Sequence, residues 1–143
     1  MLNAKEWNLR STDITCIKPE RTFWDKIYIV DRICRDHEEQ KLKRRTNPKS
    51  RHHYDVAIVG STELGKAALA NMELAEKVRI AFQAPDDAKP GALRLVPPED
   101  VMRGLRQDYE RGASRMIFGK APDFNWVVDE LRKLQEAING NVA

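Results

Sequence analysis

A lysine and an aspartate occupy helical positions where apolar side chains are the norm. In the stretch PERTFWDKIYIVDRI, Lys26 lies one turn from Phe23, Ile29 and Val30 and two turns from Ile33. In RHHYDVAIV, Asp55 has Ile58 and Val59 three and four residues on. An ionised group leaning into apolar surroundings costs on the order of several kcal/mol unless an opposite charge or a ligand compensates it. One compensation is an ion pair, either Lys26 with Asp55 or Asp55 with Arg51 one turn back. The other is a cleft with two charged walls. There Lys26 holds a phosphate as a compact point charge, and Asp55 accepts a proton from an attacking hydroxyl or orients a cation. Both can hold, because an empty cleft lets its charges pair.

His52 and His53 raise the question of a metal. Adjacent helical residues point about 100° apart and cannot share one ion, whereas His52 and Asp55 have a usable spacing. Two ligands make a weak site, so no metal is assigned to these residues. The histidines are read as packing and hydrogen bonding at a helix start.

The stretch VGSTELGKAAL imitates a phosphate-binding loop, with Gly60, four residues, then Gly65 and Lys66. Such a loop needs Ser or Thr after the lysine to hold magnesium, and here Ala67 follows. It also needs a strand before it and a parallel sheet around it, and nothing downstream alternates strand and helix. Gly60 and Gly65 are therefore read as a helix stop and a turn.

The elements that would position Lys26 and Asp55 follow from apolar spacing. Pro19 opens a first helix, with Phe23, Ile27, Val30 and Cys34 at three-and-four intervals, Trp24 and Ile33 on the flanks and Glu20 in the first turn. Asn47-Pro48 breaks the chain, and Ser50 is expected to cap a second helix over about 51–59. That helix is apolar on most of its circumference and hence central. Asn71 caps a third helix through Phe82, with Leu74, Val78 and Ala81 or Phe82 inward. A Pro-rich loop covers 83–98. A fourth helix starts near Glu99, with Met102, Leu105 and Tyr109 on one side and Gly104 and Gly112 weakening it. A fifth runs from Phe124 to Asn139 on the stripe Val127, Leu131, Leu134, Ile138. Residues 12–18, TDITCIK, alternate as a short strand that needs a partner from elsewhere.

The expectation is an all-α bundle of about five helices with one short N-terminal strand. Residues 1–18 form an extended lead-in and 19–139 the bundle, within a single domain of 143 residues. A hydrophobic fraction of 41% against 33% charged residues describes a soluble chain. No apolar run approaches the roughly 20 residues that cross a bilayer, so no membrane partner is expected. Cys16 and Cys34 sit without a CxxC or Cys/His pattern, as in a reduced, cytoplasmic protein. The net charge of +3 is concentrated in 41–51, where Lys41, Lys43, Arg44, Arg45, Lys49 and Arg51 stand without an acid. Such a block suits phosphate or a nucleic-acid backbone, or is simply a solvated connection.

PERTFWDKIYIVDRI followed by SRHHYDVA resembles the helical half of the abortive-infection, AbiEii-type nucleotidyltransferases, toxins of bacterial toxin–antitoxin pairs. LRLVP, DYERGASRMIFG and LRKLQEAIN are similar to that family's C-terminal region, so the resemblance spans about residues 12–139. It implies that Lys26 contacts nucleotide phosphates, that Asp55 is the late catalytic aspartate, and that Arg51 belongs to the same nucleotide-binding motif. It also implies an N-terminal sheet with a Gly-Ser or Gly-Gly motif and an acidic pair holding magnesium. The sequence contains no Asp-x-Asp. The chain is therefore expected to correspond to the second half of a two-part enzyme and to be inactive alone. Magnesium and a nucleoside triphosphate would be used only with the missing half. Expected partners are that half or an antitoxin, with RNA as an acceptor. The rival readings are a non-catalytic module that docks an antitoxin or pairs two copies, and an RNA-binding domain using 41–51.

Overall fold

A computed structural model of the chain describes residues 19–38, 50–112 and 121–140. Among these residues there are six helices and no strand: α1 Pro19–Glu38, α2 Arg51–Gly60, α3 Glu63–Leu69, α4 Met72–Ala81, α5 Glu99–Arg111 and α6 Phe124–Gly140. The expected strand at 12–18 and most of the basic block, 41–49, lie outside the described residues. The helix beyond the expected five is α3, where the sequence suggested a stop and a turn.

α1 is the spine of the bundle. Phe23, Ile27, Val30 and Cys34 are buried, as their spacing indicated; of the flanking residues Trp24 is buried and Ile33 half-buried, and Tyr28 is buried as well. α2, α3 and α4 pack against it. Trp24 is sealed in because its indole N–H donates to Ala68 O at 3.0 Å, which answers the one polar group it carries. α2 is central, as its apolar circumference suggested. It lies between α1 and α6 and buries His53, Val56 and Ala57.

The joint between α2 and α3 depends on close backbone approach. A Cβ on Gly65 would collide with the Val59 carbonyl oxygen and lie 2.7 Å from the Gly60 Cα. Thr62 caps α3 by accepting from Gly65 N–H, so the loop-like sequence is a helix–helix corner. Asn71 caps α4 as expected, its side-chain oxygen 3.1 Å from Leu74 N. Of the residues expected to face inward on α4, Val78 is buried and Leu74 and Phe82 are half-buried. Ala81 is exposed, and Ala75 and Arg79 are buried instead.

The Pro-rich segment 83–98 is strapped to the bundle. Asn139 of α6 accepts from Gly91 N and Leu93 N and donates to Leu93 O, each at 3.0 Å. Gln135 accepts from Leu95 N and Val96 N at 2.7 and 3.1 Å. On α1 the buried Asp31 carboxylate accepts from Arg35 Nε at 2.7 Å and from Arg94 N at 2.9 Å. Arg35 in turn donates to Asp87 O and Ala92 O. These bonds satisfy backbone groups that a partly buried irregular segment would otherwise leave unpaired. Leu93 and Leu95 thereby enter the same core cluster as Phe23, Val56, Leu105 and Leu131. The α6 stripe Val127, Leu131, Leu134 and Ile138 is core, as its spacing indicated.

Candidate functional site

The rotation of each helix about its axis decides where Lys26 and Asp55 point. Burial of Phe23, Ile27 and Val30 turns α1 so that Lys26 stands at the edge of its buried arc. Burial of His53, Val56 and Ala57 turns α2 so that Asp55 lies on its less buried side. α1 packs against α2 there, and Lys26 Nζ donates to Asp55 Oδ2 at 2.7 Å. The side chains retain 33% and 25% exposure, so the pair sits on a half-open rim between α1 and α2. Of the two ion pairs the sequence permitted, this one forms. Arg51 is exposed and makes no ion pair among the described residues.

A half-exposed pair contributes only about 0–1 kcal/mol to stability. Fold stability is therefore a poor reason for placing charges at this rim, where apolar side chains would pack as well. Both side chains stay partly open to solvent, and a compact ammonium suits a phosphate oxygen.

His52 adjoins the pair. Its Nδ1 is buried and has no hydrogen-bond partner among the described residues. The imidazole is held below the usual histidine range, chiefly by burial. Asp55 opposes that shift, and the charges of Lys26 and Arg51 reinforce it. His52 is thus the neutral neighbour of a charged pair. No group of three His, Cys, Asp or Glu side chains among the described residues could hold a metal ion, so Asp55 and His52 alone do not fit magnesium.

Ser50 departs from its expected role. Its backbone is helical, and its side chain makes no capping bond to α2. It is completely buried, and both its N–H and its hydroxyl donate to Asp108 Oδ2 on α5, at 2.8 and 2.6 Å. Sequence reasoning missed Asp108, since two residues 58 apart share no periodic signal.

No helix among the described residues is long and apolar enough to cross a membrane. No curated protein and no solved structure matches the chain. The family model described as "Nucleotidyl transferase AbiEii toxin, Type IV TA system" matches residues 3–130, a span that contains Lys26, Arg51, Asp55 and Asp108. With most of the chain matched, the protein belongs to the AbiEii nucleotidyl transferase toxin family.

Proposed function

We propose that the rim between α1 and α2 is this chain's share of a nucleotidyl-transfer centre. The observation that carries this reading is the 2.7 Å contact of Lys26 and Asp55 on a half-open surface. Lys26 Nζ exchanges its carboxylate partner for a phosphate oxygen of a nucleoside triphosphate, with Arg51 adding positive charge from the same helix end as His52. The freed Asp55 carboxylate takes the proton of an acceptor hydroxyl as that oxygen bonds to the α-phosphorus and pyrophosphate leaves. The magnesium-holding acidic pair comes from elsewhere, on a further segment or a partner chain, because these 143 residues contain no Asp-x-Asp. RNA is the proposed acceptor class, and an antitoxin protein is the proposed regulatory partner.

The test is calorimetric titration of the chain with ATP at physiological ionic strength, with magnesium-dependent labelling measured in parallel. Affinity falls by about tenfold or more in Lys26→Ala. In Asp55→Asn it holds or rises, because Lys26 loses a competing anion. The chain by itself labels no acceptor. Unchanged ATP affinity in Lys26→Ala, with only stability altered, would instead favour an interaction module whose ion pair is structural.

A further inference from the structure

The first turn of α2 carries Arg51 and His52 and no acid. The positive end of a helix is stabilised by an anion, and its first N–H groups need acceptors. α2 receives both from another helix. Asp108 brings a carboxylate to Ser50, the residue at the N-terminal boundary of α2, and one oxygen, Oδ2, accepts both the Ser50 N–H and the Ser50 hydroxyl. Ser50 O then accepts from Tyr54 N at 3.0 Å, joining the anchored residue to the turn before Asp55. A second contact lies one turn on. The ring of Tyr109, next to Asp108 on α5, meets the ring of Tyr54, next to Asp55 on α2, with centroids 6.3 Å apart. Tyr109 is itself fixed, buried against Phe124 with its hydroxyl donating to Pro122 O at 2.6 Å.

Burial of His53, Val56 and Ala57 sets the rotation of α2, and two attachments one turn apart hold its first turns in that rotation. The aromatic contact is soft and slides; charge-assisted bonds of this length do not. We infer that Asp108 is a positioning residue of the active rim: by gripping Ser50 it holds the first turn of α2 in place and so keeps Asp55 against Lys26. The inference rests on taking Lys26 and Asp55 as the working pair. It adds a second carboxylate, Asp108, that touches neither nucleotide nor acceptor.

The experiment reads the pair itself, without nucleotide. In the full chain labelled at lysine nitrogen and aspartate carbon, NMR follows Lys26 Nζ and Asp55 Cγ. Their unpaired positions come from Asp55→Asn and Lys26→Ala respectively. Asp108→Ala moves both resonances a large part of the way toward those unpaired positions. Asp108→Asn can place its amide oxygen where Oδ2 accepts both bonds, and it keeps them near wild type. Ser50→Ala removes only the hydroxyl bond and gives an intermediate shift, which serves if Asp108→Ala does not fold. Wild-type resonances in a folded Asp108→Ala, or failing that in Ser50→Ala, overturn the inference and leave Asp108 a remote helix cap. Because ATP is absent, a chain that fails to bind ATP yet shows these shifts sinks the proposed function and not the positioning role.

Discussion

Lys26, Asp55 and His52 respond differently to being stripped of a neighbour. The ion pair is half-exposed, so truncating either member lets water reach the other and costs about 1 kcal/mol or less. Binding and stability can therefore be separated in those variants. His52 behaves otherwise, since burial disfavours its protonated form. Its folded imidazole holds a proton less tightly than the unfolded one, whose ordinary value is 6.5. The associated stability is full above that value and is lost as pH falls from it toward the lowered folded value. In His52→Gln, chemical denaturation repeated from neutral to mildly acidic pH shows a flatter decline than wild type. Lys26 and Asp55 were legible in the sequence because a charge in an apolar register is conspicuous by its cost. Their mutual partnership was not, as Arg51 offered Asp55 an alternative one turn back on the same helix and only the packing of α1 on α2 decides between them.

At the level of elements, five helices were legible because each carries an apolar stripe at helical spacing. α3 was not: its seven residues are too few to show a period, and Gly65 inside it reads as a breaker. The glycine is there for space. A side chain at Gly65 would press on backbone atoms of Val59 and Gly60, which cannot move without shifting α2. At Gly60 the obstacle is the tip of Leu134, which can swing aside. Gly65→Ala should accordingly lower stability by about 1–3 kcal/mol in urea unfolding, and Gly60→Ala by less. Ser50 shows a different limit of sequence reading. A serine before a helix is a sound cap signal, yet its hydroxyl here serves a carboxylate brought by distant chain.

Across the whole molecule, the irregular segment 83–98 joins the core through side chains of α1 and α6. Asn139 answers three of its backbone groups at once. Asn139→Ala leaves those groups without their partner and weakens the strap by about 1–3 kcal/mol. Cys34 reports the result. It is buried beneath the strap, 3.8 Å from Val96 O, and burial pushes its thiol up to about 12, so it is inert while the strap is closed. In a Cys16→Ser background, alkylation of Cys34 should accelerate by about an order of magnitude or more when Asn139 is truncated.

The hold of Asp108 on Ser50 also has a consequence for biosynthesis, since it spans 58 residues of chain. A ribosome releases Arg51, His52 and Asp55 long before the aspartate that steadies them. Until that later stretch emerges, the nascent chain has its charged side chains and lacks the brace that aligns them.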